Sequence, residues 1–329
     1  MKTWRIIGFI LIMLSLSCFL SSCGSESTDL VAGGGIGGTG YISSGTITAF
    51  GSVVVNGVTF DTTEASVFVG GQEKGVGNQA ILNYLDLGQM VLVEGTANEE
   101  ETAGLASRVL YMPNVIGPVA SIEDVGLRAK RLRVLEQTII ADGHTIVKPG
   151  DLEALKEDNL IEVSGLVNDE GVIRATYIRK LANSFDPEIE IGVKGSIQNL
   201  NLATQTFQIN SLTIYYGKSK LADLTEEEMG SGLWVYVRGK IRNGYMEASE
   251  VIKAYEARIT NAEWVNLEAF ITEFSSDADF KVGLVRAKIH EHARFENGER
   301  ADLRKGIKIR IRGRITNKIL VAQRIYIYK

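Results

Sequence analysis

A short run of alternating apolar residues, closed by a glycine, recurs four times along this chain of 329 residues. The copies occupy residues 91–95, 161–165, 235–239 and 309–313. Their closing glycines are 70, 74 and 74 residues apart, so one small unit is repeated in tandem. Because alternation places the apolar side chains on one face, each copy predicts a half-buried β-strand. A glycine at the same place in every copy predicts a sharp bend there.

Each repeat surrounds this strand with the same order of elements. Short strands precede it, and an Asn56-Gly57 pair between two apolar runs is a strong hairpin signal. Segments of helical character lie at 151–156, 221–229 and 302–305, and a last strand recurs at 106–109, 175–178, 248–251 and 322–325. Five strands with a short helical link in about 70 residues are typical of an oligonucleotide/oligosaccharide-binding (OB) barrel. An immunoglobulin-like sandwich would need about seven strands in about 100 residues.

The sequence therefore predicts an all-β protein, a tandem array of four small OB-like five-stranded barrels after a signal peptide and a glycine-rich tether. Inward Val, Ile and Leu would fill each barrel at roughly 1.5 to 3 kcal/mol per buried side chain. The predicted segments are the signal peptide at 1–22, the tether at 23–40, repeat 1 at 41–113, repeat 2 at 114–183, repeat 3 at 184–257 and repeat 4 at 258–329.

The amino terminus predicts export. Lys2 and Arg5 precede an almost wholly apolar run at 6–20, which is 15 residues long and too short to span a bilayer comfortably. The following segment, Leu20-Ser21-Ser22-Cys23-Gly24, resembles the lipobox of bacterial lipoproteins. The resemblance implies that Cys23 is acylated and becomes the first mature residue, and that glycine rather than aspartate after it permits export to the outer membrane. A short membrane anchor or a coincidental cysteine is the alternative.

The tether and the cysteines argue against a cofactor or a thiol site. Residues 24–40 are rich in Gly, Ser and Thr, which predicts a flexible linker. Residues 35–40 fit the G-x-G-x-x-G dinucleotide pattern, but no strand precedes them and no helix follows, so we predict no cofactor. Both cysteines, Cys18 and Cys23, lie before the barrels, so the barrels contain no disulfide, zinc-binding thiol or cysteine nucleophile.

Parts of the first two repeats resemble a bacterial family of secreted and lipid-anchored proteins known only as domain of unknown function 5666. The resemblance is close in the glycine-rich run at 33–40 and in the segment at 44–61, and it is recognisable at 117–122 and 169–176. In repeats 3 and 4 only the strand pattern remains. The resemblance implies repeated small barrels and an exported location, and it supplies no activity and no catalytic residue.

Basic charge is concentrated in the last repeat. Residues 267–329 contain 14 Lys and Arg against 8 Asp and Glu, whereas residues 23–266 contain 19 against 32. Cations that alternate with apolar residues share the outward face of one strand, and these are Lys308, Arg310, Arg312 and Arg314. The equivalent outward row of repeat 3 is Trp234, Tyr236, Arg238 and Lys240. Cations interleaved with aromatic rings suit an anionic glycan or lipid headgroup. A solvated face balanced by acids of neighbouring repeats is the alternative.

No catalytic set of residues is recognisable. The chain has three histidines, His144, His290 and His292, and no serine in a G-x-S-x-G turn. His290 and His292 share a strand face and are weak candidates for metal ligands, but no third ligand is evident. We therefore predict solvated histidines and no metal site.

These observations predict a lipid-anchored bacterial envelope protein that binds or supports an envelope component and is not an enzyme. Its expected partners are the membrane, through acylated Cys23, and an anionic glycan, a lipid or another envelope protein at repeats 3 and 4. The expected outer-membrane location, facing the periplasm or the cell surface, argues against nucleic acid. Two alternatives stay open. One is a carbohydrate-active enzyme with two carboxylates about 5 to 9.5 Å apart in a cleft between repeats, and the other is a spacer without a pocket.

Overall fold

The computed structural model describes residues 40–329. The predicted signal peptide, Cys23 and nearly all of the tether lie outside the described residues. Within the described range the chain is built of strands, one α-helix, α1 (Gly77–Tyr84), and four 3₁₀ segments. All of these elements belong to one compact unit.

The described chain contains 25 strands. Repeat 1 contains β1 (Tyr41–Ala49), β2 (Val53–Val55), β3 (Val58–Asp61), β4 (Ser66–Val69), β5 (Gln72–Val76), β6 (Met90–Ala97) and β7 (Ala103–Tyr111). Repeat 2 contains β8 (Val115–Gly126), β9 (Ala129–Val134), β10 (Gln137–Ala141), β11 (Ile146–Lys148), β12 (Leu160–Val167) and β13 (Ile173–Ala182). Repeat 3 contains β14 (Ile191–Ser196), β15 (Gln198–Asn201), β16 (Thr206–Ile209), β17 (Leu212–Tyr215), β18 (Lys220–Ala222), β19 (Trp234–Arg242) and β20 (Tyr245–Lys253). Repeat 4 contains β21 (Trp264–Ser276), β22 (Asp279–Val282), β23 (Val285–Glu296), β24 (Lys308–Thr316) and β25 (Ile319–Ile327).

Within each repeat the strands close into a circuit. In repeat 1, β1 pairs with β2, β2 with β3, β3 with β7, β7 with β6, and β6 with β1, and only the β3–β7 pair is parallel. Equivalent circuits run through β8-β9-β10-β13-β12, through β14/β15-β16-β17-β20-β19 and through β21-β22-β23-β25-β24. The closed five-stranded barrels in repeated units confirm the predicted all-β fold class.

The predicted hairpin turn is present, and the helical elements differ from the prediction in two ways. Asn56 and Gly57, with φ of 55° and 82°, form the tight turn between β2 and β3. In place of the helical segments predicted at 151–156, 221–229 and 302–305, the structure has single 3₁₀ turns at Leu152–Ala154, Glu226–Glu228 and Arg300–Asp302, and the last of these shares only Asp302 with the prediction. Repeat 1 instead has the full helix α1, which the sequence did not signal, and buried Ala80 and Ile81 pack it against the barrel.

The recurrent glycines lie at β-bulges. The register shifts between residues 94 and 95, 164 and 165, 238 and 239, and 312 and 313, where the fourth strand of each circuit passes the fifth. A Cβ at Gly239 would lie 2.1 Å from the carbonyl oxygen of Glu247, and one at Gly313 would lie 2.0 Å from that of Val321. A bulge bends and twists its strand, so the predicted bend is found in this form.

The barrels join in two pairs, one of which links repeats that are not consecutive in the chain. The first strand of repeat 1, β1, pairs in parallel with β21 of repeat 4, and β8 of repeat 2 pairs antiparallel with β14 of repeat 3. Two sheets of 12 and 13 strands result. The repeats are in tandem along the chain, and the first and last of them are neighbours in space. Pairing between first strands satisfies backbone groups that a free edge would leave to solvent.

The apolar residues of the fold lie both inside and between the barrels. Alternate residues such as Val91 and Val93 of β6 fill the interior of repeat 1. Their neighbour Leu92 faces outward and packs with residues of repeats 3 and 4, among them Tyr236 and Val265. The outer faces of these barrels are therefore partly apolar because other repeats cover them.

Candidate binding site between the barrels

A cavity of about 620 Å³ lies where the four repeats meet, and we call it the central cavity. Its volume falls within the range of small-molecule sites, about 300 to 1,000 Å³. All four repeats contribute to its apolar wall, through Met90, Leu92, Leu110 and Met112 of repeat 1, Leu166 and Val167 of repeat 2, Leu233 and Trp234 of repeat 3, and Ile259, Leu267, Val282, Leu284 and Val285 of repeat 4.

Outward positions of the fourth strands supply part of this wall. Leu92 of β6 points away from its own barrel, between two residues that fill it. In β12, Leu166 follows the bulge at Gly165, is 7% exposed, and belongs to none of the three buried apolar clusters. Apolar side chains at outward positions mark contact with another repeat or with a ligand.

A partly buried ion pair lies in the cavity wall. The Nζ atom of Lys194 lies 2.6 Å from Oε1 of Glu256, and the Lys194 side chain is 9% exposed. Burial alone would raise the pKa of Glu256, but Lys194 holds that pKa below its ordinary value, so the carboxylate is charged at neutral pH. The second oxygen, Oε2 of Glu256, is buried and accepts no hydrogen bond from the described residues. The cavity thus has a largely apolar wall that contains one ion pair.

Two further carboxylates line the central cavity, and each faces a lysine. Oε1 of Glu268 lies 2.5 Å from Nζ of Lys308. Oε1 of Glu273 lies 2.7 Å from Nζ of Lys281. The cavity therefore contains more than one carboxylate, as the carbohydrate-enzyme alternative requires. Each of these acids, like Glu256, also has a cationic partner at hydrogen-bond distance.

Beside the cavity, Tyr255 joins repeat 3 to repeat 1. Its hydroxyl accepts a hydrogen bond from the backbone N–H of Gly71 at 3.1 Å. Burial raises the pKa of Tyr255 to about 12, so the hydroxyl stays neutral at physiological pH. This contact holds the 3₁₀ segment Tyr255–Asn261 against the cavity.

The basic row of β24 lies against acids of repeats 1 and 4. Lys308 and Arg314 form ion pairs with Glu268 and Glu263 of repeat 4. The Nε atom of Arg312 lies 2.5 Å from Oε1 of Glu101 in repeat 1. Arg310 has no carboxylate within 4.0 Å among the described residues; it donates to the backbone oxygen of Asn56 at 3.1 Å and lies over the Tyr326 ring. The row is thus largely neutralised, and Arg310 is the exception.

Arg310 and Arg312 meet in a second, smaller cleft between repeats 1 and 4. The cleft has a volume of about 180 Å³, and Glu101 and Asn266 also line it. Burial raises the pKa of Glu101 above its ordinary value, although the nearby Arg312 opposes this effect. The cleft is therefore polar, in contrast to the central cavity.

The predicted row of repeat 3 is divided between several environments. Trp234 lines the central cavity, Arg238 pairs with Glu250, and Lys240 lies 3.1 Å from Glu188. Tyr236 faces outward from its barrel, as the alternation predicts, but it is only 2% exposed because other repeats cover it. Its assignment to a ligand-accessible face is therefore wrong.

The two candidate metal ligands stand together at the surface. The ring centroids of His290 and His292 are 5.7 Å apart, and the His292 side chain is 81% exposed. Within residues 40–329 there is no group of three or more His, Cys, Asp or Glu side chains placed to hold a metal ion.

A buried polar network between repeats 1 and 2 was missed at the sequence level. Glu162 of β12 is 3% exposed and accepts hydrogen bonds from Tyr111 at 2.7 Å, Arg179 at 2.8 Å and Gln89 at 3.2 Å. The alternation placed Glu162 outward and hence in solvent. The uninterrupted apolar run of β6 was the available signal that a neighbouring repeat covers this side of repeat 1.

No helix among the described residues is long and apolar enough to cross a membrane.

A family model described as Domain of unknown function (DUF5666) matches the chain three times, at residues 39–109, 116–179 and 192–252. No curated protein sequence matches the chain. The three matches overlap the predicted repeats 1 to 3. No match covers repeat 4, and the strand circuit of β21 to β25 is the observation that supports a fourth barrel.

Proposed function

The chain belongs to the DUF5666 family, whose description assigns no activity, and from its geometry we propose that it is an exported lipoprotein that binds a single-chain amphipathic molecule in the central cavity. The observation that carries the proposal is the cavity itself, about 620 Å³ in volume and lined by apolar side chains of all four repeats. Such a cavity with a few convergent polar groups is the usual form of a small-molecule site.

The polar groups specify the head of the ligand. The ion pair of Lys194 and Glu256 lies in the cavity wall, and the Glu256 side chain is 29% exposed. A hydroxyl or amine of a ligand would form a hydrogen bond with the accessible part of this pair while the attached chain lies against residues such as Leu92 and Leu166. These two requirements together describe an amphiphile with a small donor head and one apolar chain.

The same carboxylates favour binding over hydrolysis. A glycoside hydrolase needs one carboxyl group with a raised pKa to act as the general acid. Glu256 has a lowered pKa, and Glu268 and Glu273 each face a lysine. We therefore propose a non-catalytic role for the cavity.

Attachment to the membrane through Cys23 is part of the proposal. The basic start, the apolar run of 15 residues and the lipobox-like segment before Cys23 support it. We expect cells fed radiolabelled palmitate to label the protein and Cys23→Ser to abolish the label. Equal labelling of the two proteins would contradict anchoring at this cysteine.

An anionic glycan is a second proposed partner, at the cleft between repeats 1 and 4. Arg310 supports it because this guanidinium has no carboxylate partner within 4.0 Å among the described residues. Arginine recognises carboxylate and phosphate groups in a bidentate manner.

Binding of N-phenyl-1-naphthylamine tests the central cavity, because this apolar amine becomes fluorescent when it leaves water. Leu284 lies in the cavity wall and is 41% exposed, so Leu284→Glu adds a charge there with little effect on folding. We expect about tenfold weaker probe binding, equivalent to about 1.4 kcal/mol. The matched control is Leu181→Glu, at a leucine 43% exposed and outside the cavity wall.

1-Dodecanol, a single-chain alcohol, should displace the probe from the unaltered protein and from Leu181→Glu. The proposal is wrong if the unaltered protein does not bind the probe, or if the two variants bind it equally well.

A further inference from the structure

Arginines of three neighbouring strands lie side by side on the outer face of repeat 4. Arg324 of β25 stands opposite Arg312 of β24 on one side and opposite Arg294 of β23 on the other. Residues that stand opposite each other in a sheet project from the same face. Arg312 and Arg324 line the cleft between repeats 1 and 4, and Arg294 is exposed beyond it. This cross-strand arginine row therefore leads out of the cleft and over the barrel.

The cross-strand arginine row places like charges next to each other, which destabilises a sheet unless anions compensate them. The structure supplies two such anions. Glu101 faces Arg312, and Oε1 of Glu296 lies 3.2 Å from Nε of Arg324. Within residues 40–329, Arg294 has no carboxylate oxygen within 4.0 Å of its guanidinium. One guanidinium of the row is thus available to an external anion.

Arg310 is a second guanidinium without a carboxylate partner among the described residues, and neutral groups hold it in place. It donates to the backbone oxygen of Asn56 at 3.1 Å, and its guanidinium carbon lies 5.2 Å from the centre of the Tyr326 ring. These contacts fix the side chain without removing its charge. A guanidinium has five N–H donors, so donors remain for a carboxylate. A side chain that is fixed in advance loses less freedom when an anion binds.

Arg310 and Arg294 are too far apart to share one anion. Arg310 is two residues from Arg312 along β24, and Arg294 is two strands away from Arg312. With about 3.4 Å per residue and about 4.8 Å between strands, the Cα atoms of Arg310 and Arg294 are about 12 Å apart. Only a chain with more than one anionic group can contact both guanidinium groups.

From these observations we infer that the cross-strand arginine row extends the cleft, so that Arg310 and Arg294 bind two anionic groups of one acidic glycan chain. The inference rests on the proposed binding of an anionic glycan at the cleft. It adds that the ligand is a polymer with repeated anionic groups, which crosses β24, β25 and β23, rather than a single anionic sugar.

Calorimetric titration with galacturonate and with its linear trimer, trigalacturonate, tests the inference at pH 7 and low ionic strength. Both ligands carry carboxylates, but only the trimer can reach Arg310 and Arg294 at once. We expect the unaltered protein to bind the trimer more tightly than the monomer. Arg294→Gln should weaken trimer binding about tenfold and leave monomer binding unchanged. Arg310→Gln should weaken the binding of both ligands.

Lys288→Gln is the matched control, because it removes the same charge from the same strand. Lys288 stands opposite Val321, away from the cross-strand arginine row, so trimer binding should not change. Equal effects of Arg294→Gln and Lys288→Gln on trimer affinity would overturn the inference. So would a trimer that binds no more tightly than the monomer, and the proposed glycan site at the cleft would then remain.

Two other results would contradict the proposed glycan site itself, and the inference with it. One is that neither galacturonate nor trigalacturonate binds. The other is that inorganic tripolyphosphate binds and trigalacturonate does not, which would make the ligand a polyphosphate. Failure of the glycan site and failure of the cross-strand arginine row are therefore distinguishable.

Discussion

At the scale of single residues, the glycine at the β-bulge of each repeat occupies a position that has no space for a side chain. At Gly239 the space for a Cβ is occupied by the backbone of the neighbouring strand: the carbonyl oxygen of Glu247 lies 2.1 Å away and Cα of Ala248 lies 2.9 Å away. Backbone atoms held in a bulge cannot move aside as a flexible side chain would.

Gly239→Ala is therefore expected to lower the free energy of unfolding by about 1 to 3 kcal/mol, the usual cost of overpacking. Denaturant unfolding followed by circular dichroism measures it. Gly230→Ala is the control in the same repeat, because a Cβ there meets no atom within 4 Å and its φ is not positive. That change should be neutral or slightly stabilising. An equal decrease in the free energy of unfolding of both variants would show that the bulge does not exclude a Cβ.

At the scale of strands, the sequence predicts what lies inside a barrel better than what lies between barrels. Alternation correctly assigned Val235 and Val237 to the interior, because that pattern is set by the strand itself. It also placed Tyr236 and Glu162 outward, yet both are buried because neighbouring repeats cover them. Which strand covers which is a long-range pairing that no local pattern encodes.

The same distinction explains the candidate sites. The cations of β24 were recognisable because they recur on one strand, but their partners Glu101 and Glu263 come from distant segments. The central cavity combines residues of four repeats, none of which forms a motif with its sequence neighbours. Helix α1 was missed because its sequence lacks a capping side chain or charged ends, which are the usual local signals of a helix.

At the scale of the whole molecule, the pairing of the first with the last repeat makes the barrels parts of one compact unit. Sheets run from repeat 1 into repeat 4 and from repeat 2 into repeat 3, and hydrogen bonds to Glu162 join repeat 1 to repeat 2. In a linear array of repeats each barrel would depend only on its chain neighbours. Here we expect a destabilising substitution in one repeat to lower the stability of the other repeats as well.

Tyr111→Phe tests this coupling, because it removes the buried hydroxyl that donates to Glu162 at 2.7 Å. Burial raises the pKa of Tyr111 well above its ordinary value, so the lost group is a neutral donor to a carboxylate, worth about 1.5 to 3 kcal/mol. Residues 40–329 contain two tryptophans, Trp234 in repeat 3 and Trp264 in repeat 4, and Trp264 also packs against the apolar core of repeat 1. With Trp264→Phe in both proteins, the fluorescence of Trp234 reports on repeat 3, which does not contain the substitution.

We expect Tyr111→Phe to lower the denaturant midpoint by the same amount in tryptophan fluorescence and in circular dichroism. The control is Tyr84→Phe, at a tyrosine 42% exposed on the surface of repeat 1, which should leave both midpoints unchanged. A Trp234 fluorescence midpoint that does not move while the circular dichroism transition broadens or splits would mean that repeat 3 unfolds independently of repeat 1. In that case the contacts around the central cavity would be too weak to keep the repeats that line it together.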